Sequence, residues 1–592
     1  MALSLLAGLA GTLWQMRAAR QEARRAEAAK DFLVRIFEVA DPSQSRGEKV
    51  TARELLDQGA ARVDEQLERQ PVLHAEMTGV LADVYEKLGL YEQAEPLAQK
   101  SLDLWSSQRR PGDPEIAEAL RRQGMILVGR GRYAEAEAVL RRALDERRHG
   151  RSPADARLAE TIENLAAALR PAGKIDEAEA LIREALAIRR RVFPADSPEI
   201  ATSLNNLALM LRERGRFDEA EPLYREALAI RRKTLGADHP DIAGTLGNLA
   251  ALLRQQGRLV EAEGAARESL AINRKLFGED NPNTIQSLNS LAAILQSLGR
   301  YDEAEGIDRG VLDFWRRHQG EDHPNALASM NNLAAVLKDK GDYAAAQPMF
   351  RRLVDSVPRA FGDKHPLTPV VLTHLAAILR DEEEYDEAES LLRRALAFVT
   401  EARGADHPDT AGVEAQLGAV EQQRGRLDEA EDLQRKALAV REKALGPGHP
   451  ATAASRIALG SLLRDRGRLD EAAALGRAAL DAERSIWPAG HPDIALAAME
   501  LGRTEAARGH TAEAQSLLQE AADTRARIFG AGSWKTAEAS LRLAQAYRGE
   551  GRVAEARPLL ETSAATLRRQ RGPACRLTRE AEAALSGPQP AH

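Results

Sequence analysis

Cysteine is almost absent from this sequence: Cys575 is the only one in 592 residues. A single thiol excludes a disulfide within the chain and a metal cage built from thiolates. Aromatic residues are also scarce, at 4%, whereas 44% of the residues are hydrophobic, mainly alanine and leucine. The net charge of −7 gives no global field that would attract nucleic acid. This composition is typical of a helical protein whose helices pack closely through small residues.

Long hydrophobic runs are missing as well, apart from residues 1–16, which carry no charge. Five basic residues follow this run, between Arg17 and Lys30. A secretory signal has its positive charge before the apolar run, so this order argues against one. The run is also shorter than the roughly 20 residues that span a bilayer. Two interpretations stay open: a buried or interfacial helix, or a truncated anchor that attaches a cytoplasmic chain to the inner membrane.

A repeat of 42 residues organises most of the chain. One turn position is glycine in every copy except at Glu383, and the fifth residue after it is alanine in all twelve copies. Such a fixed period is the signature of a stacked repeat architecture. The recurring glycines are Gly89, Gly131, Gly173, Gly215, Gly257, Gly299, Gly341, Gly425, Gly467, Gly509 and Gly551.

One copy illustrates the pattern within each repeat. Pro198 suits the first turn of a helix, and apolar residues then recur along one face as far as Leu211. Gly215 ends this helix, and a second helix begins near Asp218 and ends near Leu235. Small residues, Ala208 in the first helix and Ala220 in the second, allow the two helices to approach closely.

The columns of Ala208, Gly215 and Ala220 resemble the tetratricopeptide repeat. The 42-residue period, turns such as Asp238–His239–Pro240 and the segment SLNNLA at 203–208 are similar to the kinesin-light-chain type. The resemblance implies an all-α fold, a right-handed superhelical α-solenoid of about twelve helix-turn-helix repeats. It also implies a concave groove, formed by the first helices, that binds protein partners.

The repeats are predicted to cover residues 70–572, and the remaining segments are assigned around them. A capping box of Thr51 with Glu54 predicts a leading helix at 51–69, and a solenoid needs a covering helix at its other end. The predicted segments are an apolar segment at 1–16, a charged juxtamembrane helix at 17–46, the N-terminal capping helix at 51–69, a C-terminal capping helix at 573–585 and a disordered tail at 586–592.

The stretch 5–42 resembles the membrane-proximal part of certain bacterial serine/threonine kinases, in which a kinase domain precedes a membrane segment and repeats of this type. The kinase motifs are missing from the sequence: it has no HRD catalytic loop and no DFG. Kinase activity is therefore not carried over, and the resemblance implies at most a regulatory or sensory module of such a signalling system.

Histidine is the first candidate for chemistry, because it recurs before a proline at one loop position. Successive copies belong to helices about 8–10 Å apart, whereas zinc–nitrogen bonds are about 2.0–2.1 Å long. Neighbouring copies therefore cannot share one ion, and a helix-entry turn explains them better. With no nucleophile–base set, no metal site and no cofactor motif, we predict that the protein is not an enzyme. The histidines are His239, His323, His365, His407, His449 and His491.

Asparagine recurs in two adjacent columns of the first helices, although it is a poor helix-interior residue. In the resembling family this region lines the concave groove, where side-chain amides can donate to and accept from a peptide backbone. The alternative is that duplication copied asparagine along with its neighbours. The candidate groove residues are Asn164, Asn205, Asn206, Asn248, Asn289, Asn331 and Asn332.

A basic column follows six residues after the second asparagine column. If it edges the groove, it favours acidic segments or a C-terminal carboxylate. The alternative is solvated charge paired with Asp and Glu, within a helix or across repeats. The candidate residues in this column are Arg170, Arg212, Arg254, Lys338 and Arg380.

The sequence as a whole predicts a non-catalytic scaffold that binds peptide or helical segments of partner proteins in a concave groove. The alternative hypothesis is the membrane-anchored regulatory module described above. Nucleic acid is not an expected partner.

Overall fold

The computed structural model describes residues 52–149, 156–362 and 364–587, and the described residues form α-helices with no strand. The predicted all-α solenoid is confirmed. The predictions for residues 1–16 and 17–46, and for 588–592 of the tail, lie outside the described residues. Among the described helices, none has the combination of length and apolar character that a membrane crossing needs.

The chain divides into two compact units, which meet between Thr234 and Leu235. Unit 1 contains a leading helix and four helix pairs, which we number as repeats 1 to 4. Its helices are Ala52–Leu67; Pro71–Lys87 with Tyr91–Gln108; Pro114–Gly129 with Tyr133–His149; Ala156–Leu169 with Ile175–Val192; and Pro198–Glu213 with Phe217–Leu235.

Unit 2 contains eight further helix pairs, repeats 5 to 12, and a last helix at Arg576–Ser586. The pairs are Pro240–Gln255 with Leu259–Phe277; Pro282–Ser297 with Tyr301–Gln319; Pro324–Lys340 with Tyr343–Phe361; Leu367–Asp381 with Tyr385–Arg403; Pro408–Gln423 with Leu427–Leu445; Pro450–Asp465 with Leu469–Ile486; Pro492–Ala507 with Thr511–Phe529; and Trp534–Gly549 with Val553–Arg571.

The recurring histidines cap the helices that they precede. In each of the six, Nδ1 accepts a hydrogen bond from the backbone N–H two residues later, at 3.2 Å for His239 and 3.1 Å for His407. That bond satisfies one of the N–H groups that a helix start leaves without a partner. Ser197 and Asn281 do the same with oxygen atoms. The column therefore serves helix entry.

The core of each repeat lies between its two helices, where the two alanine columns meet. Ala208 and Ala220 are both fully buried, as are their counterparts Ala250 and Ala262 in the next repeat. Interiors of this kind are close-packed, so there is no spare volume at the crossing.

Replacing Ala220 by leucine should therefore overpack repeat 4. We expect the free energy of unfolding to fall by about 1–3 kcal/mol, because three extra carbon atoms must displace neighbouring side chains. Ala229→Leu is the matched control, since Ala229 lies exposed on the same helix. Chemical denaturation followed by circular dichroism measures both, and equal unfolding midpoints for the two variants would contradict the packing argument.

Candidate binding surface

Within unit 2, turns of repeats 5 to 8 contact loops that lie roughly 190 to 230 residues further along the chain. His491 Nε2 donates to the Ser297 carbonyl at 2.5 Å, and Trp534 Nε1 donates to the Gly341 carbonyl at 3.0 Å. Because the same kind of contact recurs at successive repeats, it forms a continuous line, which we call the seam. The seam residues are Gly257, Ser297, Tyr301, Asp339, Gly341, Tyr343, Asp381 and Glu383 on the turn side, and Ile486, His491, Phe529, Trp534, Lys535, Arg571, Arg576 and Arg579 on the loop side.

Aromatic rings and cations form the centre of the seam. Tyr301 stacks on Phe529 with ring centroids 5.6 Å apart and an interplanar angle of 12°. Tyr343 meets Trp534 edge-on at 5.5 Å, and the Arg571 guanidinium lies 4.8 Å from both of these rings. Pairs in these geometries attract beyond their buried area, as does a cation over a ring face.

Two turn residues show how closely the two edges approach. Gly341 has a φ of +94°, and a Cβ added to it would lie 2.7 Å from Trp534 Nε1. In repeat 8 the turn residue is Glu383, which adopts a φ of +67° that non-glycine residues rarely adopt. Its carboxylate accepts hydrogen bonds from the Arg576 backbone N–H and from Arg579 Nη2, the latter at 3.0 Å. The side chain of Glu383 thus caps the last helix across the seam and compensates for the backbone strain.

A cavity of about 790 Å³, partly open to solvent, lies against the first helices of unit 2 and the inner side of the seam. Its lining is mostly polar, with basic and acidic side chains next to one another. The lining residues include Arg254, Gln296, Lys338, Asp339, Arg380, Asp381, Ala419, Gln422, Gln423, Glu500 and Lys535.

Adjacent donors and acceptors lie on the cavity wall in two successive repeats. In repeat 7, Lys338 Nζ lies 2.5 Å from the Asp339 carboxylate, which also accepts from Gln296 at 2.7 Å. In repeat 8, Arg380 pairs with Asp381 at 2.7 Å. The side chains of Lys338 and Asp339 keep 20% and 33% of their exposure, so they face water inside the cavity.

Burial and charge act against each other at this wall. Burial alone would raise the pKa of Asp339, but Lys338, Lys535 and Gln296 together outweigh it, so that pKa lies below its ordinary value. Burial lowers the pKa of Lys535 to about 8, although Asp339 opposes the change. Lys535 Nζ donates to the Asp339 backbone carbonyl and lies 4.9 Å from the centroid of the Phe529 ring. The wall therefore holds charged forms in an environment that strengthens their interactions.

The basic column of the sequence divides between the two units. In unit 2, Arg254, Lys338 and Arg380 line the cavity, and Arg254 is exposed. In unit 1, Arg170 pairs with Glu213 of the next repeat at 2.7 Å, and Arg212 is half-buried. Pairing of this kind neutralises most of the column, so the wall presents matched donors and acceptors and little net charge.

The asparagine columns lie on the first helices, and no asparagine is among the described residues that line the cavity. Asn331 is only 8% exposed, and its Oδ1 is buried without a hydrogen-bond partner, as is Oδ1 of Asn289. The other members are half-buried: Asn164, Asn205, Asn206, Asn248, Asn289 and Asn332.

The residues of the seam were missed by the sequence reasoning, although two of them carried a signal. Glu383 breaks the glycine column, and Trp534 stands where other repeats begin their first helix with proline, as at Pro492. Both residues make contacts across the seam.

A cluster of Glu505, His510 and Glu513 offers three ligand atoms within 4.8 Å, the one such group found in the described part of the chain. Its carboxylates already have cationic partners: Arg477 lies 2.9 Å from Glu505 and from Glu513. Ion pairing explains this cluster without a metal.

Comparisons with known proteins agree with this architecture. A search of curated proteins found no match. Models described as tetratricopeptide repeat match most of the chain. The matched residues are 73–148, 157–233, 199–275, 241–307, 283–358, 367–413 and 409–485 for one model, and 494–534 and 537–562 for two others.

Several solved structures are similar. A putative kinesin light chain from Podosopora anserina with nearly identical TPR-like repeats is 25% identical over 35% of this chain and 97% of that one, with a TM-score of 0.31. BtubC (BKLC) from P. vanneervenii is 26% identical over 40% and 94%, with a TM-score of 0.34. The APC/C hetero-tetramer Cut9–Hcn1 resembles the chain in fold alone, at 14% identity over 90% and 94% and a TM-score of 0.50. The family models confirm the resemblance stated from the repeat columns, and the chain belongs to the tetratricopeptide-repeat family.

Proposed function

We propose that this protein is a non-catalytic scaffold whose unit 2 binds an extended segment of a partner protein in the cavity beside the first helices. The observation that carries the proposal is the recurrence of adjacent donors and acceptors along the wall, as in Lys338 with Asp339 and Arg380 with Asp381. A peptide backbone alternates N–H donors and C=O acceptors in the same way.

The spacing of the wall supports this choice of ligand. Neighbouring helices pack about 8–10 Å apart, and an extended chain rises about 3.3 Å per residue, so one repeat corresponds to roughly three residues of peptide. The charges at the wall are largely paired, which favours recognition of the backbone over a strongly acidic sequence. Affinity purification with mass spectrometry would identify the partner.

Charge reversal at the cavity should reduce partner binding. Arg254 is exposed and lines the cavity, so we expect Arg254→Glu to weaken capture of the partner at least tenfold, because a group that only accepts hydrogen bonds replaces a donor and upsets the balance of charge at the wall. The measurement is affinity purification of the full chain from native cells, with quantitative mass spectrometry of the captured proteins.

Arg557→Glu is the matched control, since the side chain of Arg557 is 72% exposed on a second helix and does not line the cavity. Capture of the same partners in the same amounts by both variants would reject the cavity as the binding surface.

The alternative function, a membrane-anchored regulatory module of a bacterial serine/threonine kinase system, rests on residues 5–42. These residues lie outside the described part of the chain. We keep this function as a second proposal, since a scaffold that binds a partner segment could be attached to a membrane or not.

A further inference from the structure

The seam determines how a ligand reaches the cavity, and this inference rests on the proposed function. A groove open along its length would accept any internal segment of a partner from the side. In unit 2 the turns of repeats 5 to 8 instead contact loops roughly 190 to 230 residues later, on the flank of the same cavity. An internal segment cannot enter from this side unless those contacts separate.

The two edges of the seam are in direct contact at the turn glycines of repeats 5 and 6. A Cβ added to Gly257 would lie 2.3 Å from Ile486 Cγ2, and one added to Gly299 would lie 3.1 Å from the Pro492 ring. By contrast, at the turn glycines Gly425 and Gly467, which are not part of the seam, nothing lies within 4 Å of the added atom. The backbone of the seam glycines is thus in contact with the opposite edge.

Two of the contacts use residues that depart from the repeat of this chain. Glu383 replaces the turn glycine and accepts from Arg576 and Arg579 of the last helix region. Trp534 replaces the helix-starting proline, and its indole donates to the Gly341 carbonyl. Generic repeat packing would need neither substitution.

We propose that the cavity of unit 2 accepts a partner polypeptide by a free chain end, inserted along the stack of repeats, and excludes internal segments whose two ends are blocked. Successive helices from repeat 6 to repeat 11 pack on one another, and the seam joins Ser297 of repeat 6 to His491 at the start of repeat 11, so the cavity is encircled and a segment with both ends blocked cannot enter from the side while these contacts hold. The partner class is therefore a protein with an accessible, unstructured terminus.

The test compares two display libraries on the immobilised full chain. Both carry the same random 12-residue peptides, one at a free C-terminus and the other in a loop between two folded domains. Cavity binders are those lost on Ala419→Trp, which fills the cavity wall, and kept on Ala565→Trp, which lies exposed on a second helix. We expect cavity binders to be at least tenfold more frequent in the free-end library.

A chain with the seam weakened should lose this discrimination. Glu383→Gly with Trp534→Pro restores the residues that other repeats carry at these two positions, so each repeat should still fold. Loop-library peptides should then give cavity binders as often as free-end peptides. Cys575 is half-buried beside the seam and lines the cavity, so its alkylation should become at least tenfold faster in this variant.

Three results would overturn the inference, and they are distinguishable. Equal recovery of cavity binders from both libraries on the unmodified chain rejects entry by a chain end and leaves the scaffold function intact. An unchanged Cys575 alkylation rate with unchanged discrimination in the double variant rejects the seam as the barrier. Recovery of no cavity binder from either library rejects the proposed function itself, and the inference with it.

Discussion

Replacing Phe350 by alanine should lower the free energy of unfolding of unit 2 by about 3–5 kcal/mol. The ring is fully buried in the core shared by repeats 7 and 8, with its centroid 5.3 Å from that of His374. Helices on both sides hold the site open, so the cavity left by the ring cannot collapse. Urea denaturation monitored by circular dichroism and by hydrogen exchange measures the loss.

The pKa of His374 provides a second readout of the hole that the Phe350 ring would leave. Burial lowers the pKa of His374 to about 4, and water admitted by the substitution should raise that pKa, as measured by NMR titration. Phe361→Ala is the control, because Phe361 is half-buried at a helix end. If Phe350→Ala and Phe361→Ala cost the same free energy, Phe350 is not the packing centre described here.

Glu483→Gln should stabilise unit 2 by an amount that grows with pH. Burial of Glu483, which is 2% exposed, raises its pKa to about 8, and the nearby Asp493 adds to the rise. Between the ordinary value of 4.5 and about 8, the folded chain binds one more proton than the unfolded chain. The free energy of unfolding therefore falls as pH increases through this window.

Glutamine is neutral at every pH, so the variant is free of this penalty. We expect its unfolding free energy to match that of the unmodified chain near pH 4.5 and to exceed it by about 2 kcal/mol or more at pH 7.5. Urea denaturation at pH 4.5, 6 and 7.5 provides the comparison. A difference that stays constant with pH would mean that Glu483 titrates outside this window in the folded chain.

The helices and their pairing followed from the sequence because each depends on neighbours within one period. Pro198 and Gly215 mark the ends of a helix that the structure places at Pro198–Glu213, and Ala208 packs in the core with Ala220 as the small columns suggested. The recurring histidine was interpreted as part of a helix entry, and its Nδ1 does accept the capping hydrogen bond. Interactions within one period, repeated twelve times, were sufficient to predict the helices and their pairing.

The seam could not be predicted from the sequence, because the 42-residue period indicates only the packing within a repeat and between adjacent repeats. Nothing in a column of glycines indicates which turn will meet a loop many repeats later. From the sequence, Glu383 is only an isolated exception in the glycine column. The position of the asparagine columns could not be assigned from the sequence either. A mid-helix amide can face a groove or lie between helices at the same spacing in the sequence, and the side chain of Asn331 is buried.

The seam also imposes an order of events during synthesis. Its partners are separated by 193 residues at Gly341 and Trp534 and by 196 at Glu383 and Arg579. At the usual rate of about 5–20 residues per second, a ribosome needs roughly 10–40 s to produce that interval. Repeats 5 to 8 are therefore synthesised well before their contacts across the seam, and this side of unit 2 stays open over that interval.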